Sequence, residues 1–545
     1  MAETFDYIVV GAGSAGCVVA ARLSEESHVK VLVLEAGGGD SNPKLRMPIA
    51  WPLVSRAPSV NWGYETEPEP QLGGRKIELP RGKVLGGSSA INGMGYKRGH
   101  PRDFDQWRQM GLEGWGYADV LPYFMRSESS WHGDNEYHST SGPLSVRKGG
   151  APQLLYPQIA EAAQKAGYKI TNDISGPDPE GIFITELTID KRGRRHSTAR
   201  AFLRPAMHRS NLTVVTRATT KRVVMENGRA VGVEYIKDGQ TVIARAEREV
   251  ILSAGAYNSP QLLLLSGIGP ADEIREHGIN VVADVPGVGK NLMEHASCPV
   301  IMGANGPVTF LSQLRYDRAA MWALRWFVMG DGPFAINGNT AGIFVRSNPS
   351  VDRPDLQLTF NTVHRNDRPW WPWEAAAQKY SFSCIVCVLH PQSRGHVTLR
   401  SANPMDKPKI HLGIFKEQAD IDLAIEGIRR TREVYAQEPQ KSLIARENLP
   451  GAHVQSKEDL TKFIKSVAVT MQHPSGTCVM GTGTNAVLDQ DLKVRGVDGL
   501  RVADASVFPS QPGGNINAPA IMVGEKCADL VRGRRLAPMD VTVNV

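Results

Sequence analysis

Gly11, Gly13 and Gly16 form the spacing G-x-G-x-x-G, and an acid, Glu35, stands 24 positions beyond the first of them. The glycines separate a β-branched run, Phe5-Asp6-Tyr7-Ile8-Val9-Val10, from the Ala- and Leu-rich run Cys17 to Leu23. This pattern reads as a buried strand, a tight turn and a helix packed on the strand. Its chemistry is dinucleotide binding. Gly11 permits the turn, Gly13 leaves room for a pyrophosphate, and Gly16 lets helix and strand close, while the helix N-terminus presents N–H groups and partial positive charge to phosphates. Val29 to Leu34 reads as the next parallel strand and ends in Glu35, whose carboxylate would accept hydrogen bonds from an adenosine ribose and repel a 2′-phosphate. A second glycine cluster runs from Pro80 to Met94. There Gly86 and Gly87 allow close backbone approach, and Ser88, Ser89 and Asn92 supply hydrogen-bonding groups. Two phosphate-compatible turns in the first hundred residues favour one long dinucleotide.

Positioning these groups takes a large fold. With 545 residues and 41% hydrophobic content, the chain can bury an extensive core and should form two domains, interleaved rather than consecutive. The formal charge of +6 is small for this size, and Lys191-Arg192-Gly193-Arg194-Arg195 is one turn rather than a stripe, so nucleic-acid binding is not expected. No apolar run of about 18 residues lacks glycine or charge, so no membrane span is expected. No basic segment precedes the apolar residues 8 to 23, which argues against a secretory signal and for a cytoplasmic protein. The six cysteines are scattered, and Cys384-Ile385-Val386-Cys387 lies in an apolar, strand-like run without a second pair. These are expected to be core thiols, with no metal site.

Residues 153 to 166 carry helical periodicity and stop at Gly167, whereas Ile182 to Ile189 alternates like a strand. Leu212 to Val215 and Arg222 to Met225 are expected to pair with Gly232 to Tyr235 and Glu249 to Leu252. Gly395 to Arg400 and Pro408 to Leu412 read as strands, and 417 to 436 as a helix. In His364 to Trp373, three tryptophans beside prolines cannot be a regular core helix. They are either a rigid aromatic loop over a substrate entrance or a subunit contact.

The opening cradle, Gly82 to Gly93 and Gly255 to Gly269 together resemble the glucose-methanol-choline (GMC) family of FAD-dependent oxidoreductases, in motif style nearest its bacterial choline dehydrogenase-like members. Pro286 to Leu292 and the C-terminal segment also match, so the likeness spans nearly the whole chain. It implies an α/β protein with an α+β substrate region. A Rossmann-like FAD-binding domain would be built from discontinuous segments, 1–155, 195–300 and 485–535. A substrate domain with a mostly antiparallel sheet would take 156–194 and 301–484, leaving 536–545 as a tail. The family implies oxidation of an alcohol by hydride transfer to the flavin. Carried over by motif, FAD would meet Gly11, Gly13, Ser14, Ala15, Gly16, Glu35, Ala36, Trp62, Leu85, Gly86, Gly87, Ser88, Asn92, Gly93, Met94 and Ala254. The backbone of Val223 would lie at the adenine, Asp504 and Ala505 at the ribityl-phosphate region, and Asn517 at the pyrimidine edge.

His473, in Met471-Gln472-His473-Pro474, and Asn515, in Gly513-Gly514-Asn515, match the family's catalytic pair. Imidazole titrates near neutrality and can take the hydroxyl proton, and an amide can donate to the developing alkoxide. Pro519 suits the first turn of a helix whose N-terminus would face the reduced flavin's negative edge. Two departures from the family matter. Ile91 stands where some members attach FAD through histidine, which implies noncovalent FAD. Thr340 stands where choline-oxidising members place a carboxylate, and an uncompensated buried cation is costly. The expected reaction is oxidation of an uncharged primary alcohol to an aldehyde, with O2 or another oxidant as electron acceptor. Alternatives are a choline or sugar-type substrate on the same scaffold, or a flavin-binding protein without turnover.

Overall fold

Long apolar runs and alternating runs build two different sheets. The computed structural model describes residues 3–150, 154–362, 367–377 and 379–542. The opening strand, Thr4–Val10, buries Tyr7 to Val10 and lies parallel between Val31–Glu35 and the second half of Gln240–Leu252. Leu212–Thr216 extends this layer beyond Val31–Glu35, and Leu500–Val502 adds to Val250–Leu252, both in parallel. Runs that are apolar at every position fit strands covered on both faces. The first half of Gln240–Leu252 turns away into an antiparallel meander with Arg229–Lys237 and Ala218–Glu226.

The helices Ser14–Leu23 and Asn517–Val531, from opposite ends of the chain, pack together on this layer. Gly524 makes the close approach possible, since a Cβ there would lie 2.8 Å from the Ala15 carbonyl oxygen. Beside it, Arg22 grips the buried Glu525 carboxylate with two hydrogen bonds of 2.9 and 2.8 Å, the bidentate geometry that makes an interior ion pair tolerable.

The second sheet is antiparallel throughout, in the order Ile444–Leu449, Ala296–Ala304, Ser381–Val388, Leu356–Asn361, Asn339–Val345, Gly181–Phe183, with Val469–Thr470 on the start of Ala296–Ala304. Side-chain alternation divides its faces. Cys298, Val300, Leu358, Phe360, Cys384 and Val386 belong to a core shared with the helix Gln418–Tyr435. Their neighbours Ser297, Pro299, Gln357, Thr359, Ser383 and Ile385 face a cavity on the other side. All six cysteines are buried and unpaired.

Two local expectations change in the structure. The alternating run 182 to 189 is not one strand: Gly181–Phe183 joins the antiparallel sheet and Glu186–Leu187 pairs with Leu144–Lys148. Leu212–Thr216 pairs with Val31–Glu35 rather than with the meander. The strands expected at 395 to 400 and 408 to 412 do form, as His396–Thr398 and Lys409–His411 paired in a two-stranded sheet. Short alternating segments record which face is buried but not which partner buries it.

Of the aromatic run, residues 363–366 lie outside the described residues. Trp370 is buried and donates through Nε1 to the Leu311 carbonyl, whereas Trp371 and Trp373 are exposed and stack on each other at 4.9 Å. Trp371 also packs on Tyr316 at the start of the helix Tyr316–Met329, whose outer side exposes Met321, Leu324, Phe327 and Val328. Neither exposed tryptophan lines the cavity.

A Cβ at position 16 would sit 1.9 Å from the Gly11 carbonyl oxygen, a backbone atom with no freedom to yield. Gly16→Ala should therefore cost about 2–3 kcal/mol, the upper range for overpacking. The shift of the urea unfolding midpoint measures it, and a midpoint unchanged from wild type would show that helix and strand are not in contact there.

Candidate active site

A cavity of about 1000 Å³ lies between the two sheets and collects most of the residues picked out from the sequence. Gly11, Gly13, Ser14, Ala15, Glu35, Ala36 and Trp62 line it, as do Gly87, Ser88, Asn92, Gly93 and Met94 from the second glycine cluster. Ala254, Asp504, Ala505 and Asn517 line it from the later chain, together with His473 and Asn515. The two glycine clusters touch: a Cβ on Gly87 would lie 2.7 Å from Gly13 Cα.

Five expected contacts do not line the cavity, and each has another task. Gly16 packs on Gly11, as above. Leu85 is buried and its N–H donates to the Gly38 carbonyl, while the Gly86 N–H donates to the Ala12 carbonyl at 2.8 Å from a left-handed turn (φ 91°). Val223, whose backbone is expected at an adenine, donates its N–H to Ser266 Oγ at 2.9 Å. Pro519 lies in the first turn of the last helix, where its missing N–H costs nothing.

The cradle has the chemistry a dinucleotide requires. Glu35 Oε2 accepts from the Ala12 N–H at 3.0 Å and Oε1 from the Gly37 N–H at 2.7 Å, which fixes the carboxylate at the cavity wall with lone pairs to spare. Burial pushes its carboxyl up to about 7, against those two N–H donors and Lys83. Neither the first nor the last helix has a side-chain cap, so their first-turn N–H groups remain available to an anion. Ser14 Oγ donates to Asn517 Oδ1 at 2.7 Å and ties the two helix starts together. Asp504 orders the floor by accepting from the Gly255 N–H at 2.8 Å and from the Ser506 N–H at 2.7 Å. The lining residues Ser253 and Tyr257 have buried hydroxyls without a hydrogen-bond partner among the described residues. Volume, glycine turns and unmet polar groups fit an extended FAD. Ile91, 2% exposed, lines the cavity and offers no atom for a covalent link to it.

Pairing of Ala296 with Thr470 brings two sequence-distant histidines together. His473 Nδ1 and His295 Nδ1 lie 2.9 Å apart, and His295 Nε2 lies 2.9 Å from the Leu389 carbonyl oxygen. On its other side, His473 Nε2 is 3.0 Å from Asn515 Nδ2, and Asn515 Oδ1 accepts from Lys97 Nζ at 2.8 Å. Directions in this chain are forced. An ammonium only donates and a carbonyl only accepts, so Oδ1 turns to Lys97, Nδ2 donates to His473 Nε2, His473 Nδ1–H donates to His295, and His295 Nε2–H donates to Leu389. His473 is thereby neutral with its Nε2 lone pair beside the Asn515 amide at the cavity wall. Burial holds His473 well below its ordinary value, with His295, Arg81 and Lys97 acting the same way, and lowers His295 to about 3.

The surrounding segments are tightly held. Gln472, in a left-handed conformation (φ 64°), offers its carbonyl and Oε1 to the buried Arg81 guanidinium at 2.9 and 3.0 Å. The His473 N–H donates to Glu294 Oε1 at 2.6 Å, and burial raises the Glu294 carboxyl to about 8. Gln511 Nε2 donates to the His473 carbonyl at 2.9 Å, and the Gly513 N–H donates to the buried Asp103 at 2.7 Å. Sequence reasoning missed Lys97, Arg81, Glu294 and His295. The only signal was formal charge inside stretches otherwise apolar enough to be buried. Thr340 is fully buried with Oγ1 unpartnered and does not line the cavity.

Outside the cavity, His132, His138 and Asp173 offer potential ligand atoms within 4.8 Å of one another, the one such group among the described residues. These atoms already serve a hydrogen-bonded cluster in which His132 Nε2 meets Glu186 at 2.6 Å, His138 meets Glu128 at 2.8 Å, and Glu128 meets Arg98 at 2.5 Å. Among the described residues, no helix is long and apolar enough to cross a membrane.

Known proteins resemble this chain in sequence and fold. Family models described as GMC oxidoreductase match residues 5–297 and 391–524. An oxygen-dependent choline dehydrogenase of Brucella anthropi is 43% identical over 531 residues, covering 97% of this chain and 96% of the relative. Among solved structures, pyridoxine 4-oxidase from Mesorbium loti is 29% identical with a TM-score of 0.85, covering 96% of this chain and 98% of that one. A variant formate oxidase of Aspergillus oryzae RIB40, solved for its FAD modification, is 28% identical with a TM-score of 0.90, covering 97% and 98%. The chain belongs to the GMC oxidoreductase family, FAD-binding enzymes that act on alcohol-type donors.

Proposed function

We propose that this protein oxidises a primary alcohol to an aldehyde in the cavity described above, with noncovalent FAD, His473 as base and Asn515 holding the substrate oxygen. The observation that carries the reading is the one-way hydrogen-bond chain from Lys97 to Leu389, which leaves His473 neutral with a lone pair at the cavity wall. FAD, when bound, supplies the acceptor for the hydride leaving the carbinol carbon. An alcohol oxygen within reach of both side chains would give its proton to His473 Nε2 and accept from Asn515 Nδ2–H. The amide thus opposes the negative charge that develops on oxygen, and its donation to the imidazole in the free protein keeps it aimed there. His295 holds the imidazole plane and takes the Nδ1–H bond, as a positioning residue. Residues Gly11 to Ala15, Glu35 and the starts of the first and last helices would hold the dinucleotide, with Asp504 and Asn517 at its later segments. The six unpaired, buried cysteines suit the reducing cytoplasm, where we place the enzyme.

Choline is the second reading, favoured by the name of the 43% identical relatives. Against it, the roof of the cavity presents Asn339, Gln357, Thr359 and Asn361 rather than an aromatic cage.

His473→Ala should lower the anaerobic rate of flavin reduction by an alcohol about 10²–10⁴-fold while FAD stays bound. Reduction at close to the wild-type rate would remove His473 as the base. Acid denaturation should release free FAD into the supernatant, whereas yellow colour retained on the precipitate would mean a covalent bond. Both buried histidines have folded-state values below their unfolded ones, so below about pH 6.5 the unfolded chain binds more protons and stability falls with pH. The unfolding free energy from urea titrations should decline from about pH 6.5 downward, by up to about 1.4 kcal/mol per pH unit for each group. The double variant His295→Gln/His473→Gln should flatten that slope, and an equal slope in both proteins would place the acid sensitivity elsewhere.

A further inference from the structure

Lys97 carries a charge that no carboxylate among the described residues meets in an ion pair. It is 3% exposed, lines the cavity, and sits over the rings of Phe183 and Phe344 at 5.5 and 5.9 Å. Its bond to Asn515 Oδ1 uses one of three ammonium hydrogens. The acidic groups that act on it are the Cys387 thiol and Glu186, and Glu186 is already engaged by His132 and Trp131. Among the described residues no carboxylate forms an ion pair with it. Three other interior cations are matched, Arg98 by Glu128, Arg22 by Glu525 and Arg501 by Glu249, whereas the buried Arg195 donates to the uncharged oxygens of Leu45, Ser89 and Asn92, leaving Lys97 as an unmatched cation that faces the cavity beside the His473–Asn515 pair. A buried ammonium with spare donors is expensive unless something answers it.

The wall around His473 adds to this charge. Among the described residues Arg81 is bonded only to uncharged oxygens, those of Pro80 and Gln472, and burial lowers its guanidinium from the usual value against the opposing pull of Tyr257 and Glu294, as it lowers the Lys97 ammonium to about 8. The roof offers neutral amides and hydroxyls. An alcohol beside His473 and Asn515 therefore meets a positive field in a low-dielectric setting, where it acts strongly.

We propose that the alcohol oxidised here carries a carboxylate close to its hydroxyl, and that Lys97 is the counter-ion that receives it. One carboxamide spans the gap between the ammonium and the imidazole, with 2.8 Å to Oδ1 on one side and 3.0 Å from Nδ2 on the other. The carboxylate and the carbinol carbon must then be separated by only a few bonds, which describes short hydroxy acids with a terminal hydroxyl. The same charge opposes a quaternary ammonium. This inference rests on the alcohol-oxidation reading above and deepens it.

The test uses the holoenzyme under anaerobic conditions with three alcohols of similar size: 3-hydroxypropionate, 1-propanol and choline. Flavin bleaching should be most efficient with 3-hydroxypropionate, by about 100-fold over 1-propanol, with choline last. Lys97→Met should collapse the ratio of 3-hydroxypropionate to 1-propanol towards one, and Lys97→Arg should restore part of it. Unreactive propionate should perturb the flavin absorbance of the wild-type protein and compete with 3-hydroxypropionate, a readout that needs no variant to fold. A wild-type ratio of one or less, or a ratio that Lys97→Met leaves intact, would overturn the anion site while bleaching by 1-propanol upheld alcohol oxidation. Conversely, a propionate perturbation without bleaching by any of the three would support the anion site and sink the oxidation reading. Silence in both measurements would remove both.

Discussion

A hydrogen-bond chain whose two ends cannot reverse orders the side chains at one end of the cavity. The Lys97 ammonium can only donate and the Leu389 carbonyl can only accept. Asn515, His473 and His295 lie between them, and each could face either way if isolated. Bounded as they are, the amide has one orientation and each imidazole one tautomer. A proton acceptor at His473 Nε2 therefore follows from the connectivity, with no carboxylate among the described residues bonded to the ring itself.

Keeping that chain intact requires both layers of the fold. Lys97 follows the second glycine cluster, and His295 closes the approach to the antiparallel sheet. His473 follows the short strand Val469–Thr470, and Asn515 precedes the last helix. The pairing of Ala296 with Thr470 sets the distance between the histidines, and Asp103 and Gln511 hold the loop that carries Asn515. A shift of one residue in the Val469–Thr470 pairing would turn its neighbours to the other face of the sheet, which explains why so much buried hydrogen bonding converges on a few irregular residues.

Electrostatics divide the cavity. In the cradle, helix N-termini and backbone N–H groups favour an anion at the phosphates, while Glu35 presents acceptors to hydroxyls. Around His473 the nearby fixed charges are cationic, and burial keeps the imidazoles neutral and Glu294 raised. Both halves suit negatively charged or hydrogen-bonding guests and oppose cations, a division expressed by residues that belong to no single motif.

The strand, glycine turn, helix and acid at the start of the chain were legible in the sequence because they are local. A turn that must admit a phosphate needs glycine at fixed offsets, and a strand buried on both faces needs an unbroken apolar run. The helix 417 to 436 and the buried, unpaired cysteines were legible for similar reasons of periodicity and setting. His473 and Asn515 were named through motif likeness, since a histidine before proline has no local signature of its own. Partner choice for the short strands 182 to 189 and 212 to 215, the diversion of the Val223 N–H to Ser266, and the meeting of Lys97 and His295 with the proposed pair were decided only by tertiary structure. Residue spacing encodes contacts a few positions apart, whereas these join residues 38 to 418 positions apart, and their geometry exists only once both sheets are closed around the cavity.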